Sequence, residues 1–153
     1  AVGAVDYVWP TDGVVVDPFR PPQSRYGPGN RGLEFATAAG SPFWAAADGT
    51  VTFAGQVGGR LHVTVGHADG LRTSYSGVRT IAAATVYKGA RVRSGQVLGT
   101  TGETLHVGVR RGDVYLDPAP IFGPRAGGGG AAPRGRPRLV PTGLEVVRLT
   151  LPV

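Results

Sequence analysis

The chain has three histidines (His62, His67 and His106), ten Asp and Glu residues, and neither cysteine nor methionine. A thiol nucleophile, a cysteine-based zinc knuckle and a disulfide framework are excluded, so hydrolytic or metal chemistry has to come from imidazoles and carboxylates. Two stretches hold the candidates. In GNRGLEFA, residues 29–36, Asn30 and Glu34 stand four apart, like a metal-ligand motif whose ligands have been changed. In TLHVGVRRGDVYLDP, Thr104 precedes His106 by two, which places both on one face of an extended strand.

These residues sit in a chain of 153 with 26 glycines and 13 prolines, 41% apolar and 17% charged. That length gives one domain with a core. Glycine at this density in an apolar chain implies many short strands joined by tight turns, and the composition argues against wholesale disorder. Val14-Val15-Val16, after Trp9-Pro10 and Asp12-Gly13, reads as a first strand. The Pro- and Gly-rich stretch 20–29 is a loop running into GNRGLEFA. Strands are expected at 50–54, 60–65 and 71–75, joined by turns at 55–59 and 68–70 as an antiparallel meander. Leu61, Val63 and Val65 alternate with His62, Thr64 and Gly66, as Leu105, Val107 and Val109 do with Thr104, His106 and Gly108. Ile81 to Ala84 could begin a helix, but Thr85, Val86 and Gly89 interrupt it, and no amphipathic helix is expected anywhere. Residues 86–92 and 95–99 read as further short β segments.

The blocks WPTDG, GNRGLEFATAAGSPFWAAADGTVTFAG, VGHADGLRTSYSGV, KGARVRSGQVLGTTG and TLHVGVRRGDVYLDP together resemble the lysostaphin-type (LytM-like) zinc endopeptidases of peptidoglycan. The resemblance covers roughly residues 9–122, with the blocks in family order, and the last is similar to actinobacterial members. It implies a mostly β fold, a compact antiparallel sheet domain with a central groove and little or no helix. In active members a His and an Asp four residues apart, with the second His of a His-x-His pair, bind zinc, and two further histidines assist the attacking water. Carried over, the metal positions here are Asn30, Glu34 and His106, and the assisting positions are Gly77 and Thr104.

Only His106 keeps the family's residue type. An Asn amide is a neutral, weak zinc ligand, Glu34 is one methylene too long, Gly77 has no side chain, and a Thr104 hydroxyl cannot accept a proton near neutral pH. General acid–base assistance is typically worth about 10²- to 10⁴-fold, and metal-activated water more again. The expectation is a catalytically inactive domain with no catalytic residue and no cofactor, in which His106 is hydrogen-bonded to Glu34. Tyr26, Arg31, Glu34, Tyr75, Thr104 and His106 are the expected binding groove. Two alternatives stand beside this: an active zinc endopeptidase with a rearranged site that recruits His67 or His62, and a lipoyl- or biotinyl-like carrier using Lys88. Otherwise His67 reads as turn structure and His62 as a surface imidazole.

The resemblance implies an extracytoplasmic place in the cell envelope, as a secreted or exported regulator or scaffold of peptidoglycan hydrolysis or division. The partner would be peptidoglycan or a cell-wall hydrolase, with no nucleic acid. The chain begins Ala-Val-Gly and has no apolar run long enough to span a bilayer, which reads as a processed or trimmed product. Residues 1–123 are expected to form the domain and 124–153 a Gly-, Pro- and Arg-rich linker and tail with one possible terminal strand. The net charge of +6 is mostly a tail property, because residues 124–153 hold five arginines against one glutamate.

Overall fold

The computed structural model describes residues 4–24 and 27–125, and the tail expectations for 126–153 lie outside them. The elements are β1 (Val14–Asp17), β2 (Leu33–Ala36), β3 (Pro42–Trp44), β4 (Gly49–Val57), β5 (Arg60–Gly66), β6 (Leu71–Ile81), β7 (Arg91–Val92), β8 (Val97–Arg111), β9 (Val114–Leu116) and α1 (Pro118–Phe122). The nine strands make one sheet in the order β1-β2-β8-β6-β5-β4-β7, with β3 and β9 also on β8. Every pairing is antiparallel. The mostly β, antiparallel architecture is as the sequence implied, and the five residues of α1 are its only helix among the described residues.

Period-two alternation decides which face is buried. Leu33 and Phe35 of β2, Val63 and Val65 of β5, Thr73 and Tyr75 of β6, and Leu105, Val107 and Val109 of β8 all point into one core. Phe43, Ala45, Ala46, Val86 and Leu98 fill it from the other side. The Trp9-Pro10 segment closes one end: the Trp9 ring meets Phe35 and Phe122 edge-on, at 6.2 and 5.3 Å between centroids, and its Nε1–H donates to the Gly123 carbonyl at 3.0 Å. Asp117 caps α1 by accepting from the Ala119 amide, with Pro118 in the first turn.

Several boundaries differ from expectation. The turn expected over 55–59 narrows to Gly58-Gly59, because β4 runs on to Val57. At Ile81, where the sequence left a helix start interrupted, β6 ends instead, six residues beyond the strand expected over 71–75. Of the segment 86–92 only Arg91 and Val92 join the sheet, while Val86 is buried as a core plug. Of the segment expected at 95–99, residues 97–99 are strand, and they and the segment from Thr104 belong to one strand, β8. Gly99 looks like a strand breaker in the sequence, yet it sits where a Cβ would lie 2.0 Å from the Thr80 carbonyl oxygen, so only glycine allows β6 and β8 to approach there.

Candidate functional site

The face opposite the core carries the polar residues of the alternating strands. Ladder partners in an antiparallel sheet point the same way, so register alone orders this face. One transverse row runs Asp17, Glu34, His106, Ser76, His62 and Gly55, from β1 to β4. Glu34 and His106 are direct partners in it, and His106 Nδ1 lies 3.0 Å from Glu34 Oε1, both side chains about one-third exposed. This is the hydrogen bond that the sequence reading set against metal coordination. Next to it, Asp17 pairs with Arg20, whose guanidinium holds the carboxyl below its usual range.

Asn30 is not open to this row. Its Nδ2 donates to the carbonyls of Asp17 and Pro18, both at 3.0 Å, and its Oδ1 accepts from the Gly32 amide at 3.1 Å. Two carbonyl acceptors can be met only by the NH₂ end of the amide, so its orientation is fixed and its oxygen is turned to the backbone. The backbone of Asn30 also pairs with Arg20 in both directions at 2.9 Å. Asn30 therefore clasps the loop after β1 onto the start of β2, and is 7% exposed.

Gly77 and Thr104 lie where β6 and β8 part. Between the pairs Ser76–His106 and Val78–Thr101, β6 advances two residues and β8 five, so 102–105 bulge away. At the neck of the bulge Gly77 has φ +81°, and a Cβ there would lie 2.7 Å from the Thr104 carbonyl oxygen. Glycine is required twice over, for its left-handed backbone and for lack of room. Thr104 is exposed on the bulge.

The remaining candidates separate. Tyr75, expected in the groove, is corrected: it is fully buried on the core side. The Ala46 amide donates to its hydroxyl at 2.9 Å, and Thr73 Oγ1 lies at 2.9 Å; burial pushes the phenol up to about 12. His67 cannot be a ligand either, because its Nδ1 is 2.7 Å from the Asp48 carbonyl and its Nε2 2.9 Å from Thr73 Oγ1. A carbonyl only accepts, so Nδ1 carries the proton, Nε2 accepts from Thr73, and Thr73 accepts from Tyr75. His62 faces the same side as His106 but two strands away, roughly 10 Å by strand spacing. Lys88 is exposed in the turn between β6 and β7 rather than at a hairpin tip, which removes the carrier geometry. Arg31 bonds the Gly27 carbonyl at 3.4 Å and lines a groove of about 760 Å³ with Phe19, Pro21, Pro22, Arg110 and Tyr115. Tyr26 lies outside the described residues.

The zinc that the family resemblance implies does not fit these residues. Asn30 is committed to the backbone, which leaves Glu34 and His106, and no group of three His, Cys, Asp or Glu side chains among the described residues could hold a metal. The sequence reading missed Arg110 and Tyr115. The parity that joins Thr104, His106 and Gly108 continues to Arg110, and would have found it.

The model of peptidase family M23 matches residues 28–118, more than half of the chain. The chain belongs to peptidase family M23. This M23 domain is 44% identical over 64 residues to an uncharacterized protein of Mycobacterium tuberculosis, covering 42% of this chain and 26% of that protein. It is 30% identical over 132 residues to the lipoprotein YgeR of Escherichia coli, covering 81% of this chain and 50% of the relative. The chain thus spans half or less of the curated relatives it matches. Among solved structures, Csd3 of Helicobacter pylori superposes with a TM-score of 0.60 at 28% identity, over 74% of this chain and 34% of Csd3. Lysostaphin shares the fold with a TM-score of 0.66 at 20% identity, over 89% of this chain and 62% of lysostaphin. A chain of the SpoIIIAH–SpoIIQ complex does so at 0.62 and 22%, over 75% and 97%. No helix among the described residues is long and apolar enough to cross a membrane.

Proposed function

We propose that this M23 domain is a noncatalytic regulator or scaffold of the cell envelope that docks peptidoglycan or a partner hydrolase on its polar sheet face. The observation that carries the reading is the Asn30 clasp: the side chain at the first metal position holds the loop together and is turned away from Glu34 and His106. A weak ligand that pointed into the site would favour hydrolysis; one spent on three backbone groups supports a noncatalytic role. The Gly77 bulge supports the same reading, because an assisting imidazole would need both a different backbone and space that Thr104 occupies. A lipoprotein relative is consistent with an envelope setting, and the SpoIIIAH–SpoIIQ complex is a case in which a chain of this fold sits in a protein assembly.

The test measures metal content and lysis with the same preparation. Expected are substoichiometric zinc after exchange against micromolar zinc, no clearing of cell-wall suspensions, and co-sedimentation with purified peptidoglycan or capture of a purified hydrolase. Stoichiometric zinc together with lysis overturns the proposal.

A further inference from the structure

A second transverse row crosses the same face four residues along β8 from His106. Through the ladder partners it runs Tyr115, Arg110, Arg72, Gly66, Thr50 and Arg91, across β9, β8, β6, β5, β4 and β7. It holds three arginines and no carboxylate. Arg72 and Arg110 are direct cross-strand partners, a like-charge placement that costs stability. Among the described residues no carboxylate lies within salt-bridge reach of Arg72, Arg110 or Arg91. Arg110 donates to the Gly112 carbonyl at 2.9 Å, which steadies its guanidinium beside Tyr115. The carboxylates of the first row, Asp17 and Glu34, are already partnered, and Asp113, in the turn after β8, shares the groove with Arg110 with no ion pair to it among the described residues. Such segregation creates a local positive field where the sheet itself has no use for one.

The row also has a shape. At one end a groove of about 760 Å³ is lined by Arg31 and Arg110, by Phe19, Pro21 and Tyr115, and by a single carboxylate, Asp113. In the middle Gly66 contributes no side chain, so the row is low there. Arg91 stands three strands beyond Arg72, about 14 Å away by strand spacing. One small anion can bridge Arg72 and Arg110 but cannot also reach Arg91.

We propose that this row is a docking track for a linear polyanion lying across the strands, anchored by Arg72 and Arg110 and steadied at its far end by Arg91. Guanidinium pairs suit phosphate and carboxylate equally, so the shared chemistry is a chain of repeated anionic groups. A chain fits better than a lipid surface because Arg110, one half of the anchor, lines a groove. The site is independent of the Glu34–His106 corner.

Calorimetric titration of the full chain with polyphosphate, poly-glutamate and inorganic phosphate tests this. Polyphosphate or poly-glutamate should bind at least about tenfold more tightly per chain than inorganic phosphate, since linked contacts reinforce one another. Preference for one polymer identifies the anion as phosphate or carboxylate. The double variant R72Q/R110Q should weaken binding by about 30-fold or more with a Tm at or above the wild-type value, and flatten the log–log salt dependence by about one per arginine. R91Q should remove the gain from long chains while leaving short ones unaffected. R134Q/R136Q/R138Q, which strips the basic tail, should change affinity by less than about threefold. Loss of binding in the tail variant but not in R72Q/R110Q overturns the proposal. So does binding of anionic vesicles with none of the soluble polymers, or no binding at all.

Discussion

Replacing Asn30 tests the central structural claim. Asn30→Ala removes three hydrogen bonds, but they are not equal. The acceptors Asp17 and Pro18 lie in a half-exposed to exposed stretch, so water can replace Nδ2 and each loss costs about 0.5–1 kcal/mol. The Gly32 amide is buried, so Asn30→Ala leaves it without its acceptor and away from bulk solvent. An orphaned buried amide costs about 1–3 kcal/mol. The sum is roughly 2–5 kcal/mol, a large share of a usual domain stability of about 5–15 kcal/mol. Urea unfolding followed by Trp9 and Trp44 fluorescence reads this directly, as a lower midpoint with an unchanged slope. Asn30→His, which restores a ligand type, should be destabilised to a similar extent, and zinc should not rescue it. The reasoning is refuted if Asn30→Ala loses less than about 0.5 kcal/mol. Zinc raising the midpoint of Asn30→His would refute it too, since binding to the folded state at 100-fold over Kd adds about 2.7 kcal/mol.

Gly77→Ala should destabilise by about 1–2 kcal/mol for the left-handed backbone, and more for the contact with the Thr104 oxygen, read by the same unfolding assay. Glu34→Gln should change stability by less than about 1 kcal/mol, because its pairing with His106 is one-third exposed; a loss above 2 kcal/mol would mean that the pair has a structural role. Burial pushes the His67 imidazole below its ordinary value of 6.5, against Tyr7, Asp48 and Asp69 around it. The unfolded chain then binds the proton more readily, so the His67 contribution is complete above about pH 6.5 and is lost as pH falls from there through the depressed folded value. Urea midpoints measured from pH 7.5 to 5 should fall in the wild type, and His67→Gln should show a flatter dependence.

What the sequence made legible was local. Alternation in 60–66 and 104–110 assigned the core face, since Val63, Val65, Leu105, Val107 and Val109 are all fully buried. Turn residues at Gly58-Gly59 and at 68–70 located two hairpins, and the succession of blocks gave the family. The failures were non-local. Tyr75 looks like a groove residue beside Gly77, yet parity along β6 puts it with Thr73 on the core side, and the bulge that follows hides that parity. The Asn30 clasp depends on carbonyls twelve and thirteen residues away that only the fold brings near. The arginine row joins residues from four separate parts of the chain, and no window of the sequence contains it.

The bulge at Gly77 also gives this domain a direction in time. Any substitution there meets the Thr104 carbonyl before the new side chain can do anything useful, and lengthening or shortening the 102–105 bulge would first disturb the neighbouring His106. Placing a histidine at Gly77 would therefore pass through less stable proteins, whereas changes on the open face meet no such barrier. Substitutions are therefore tolerated more readily on the exposed face than at the neck of the bulge.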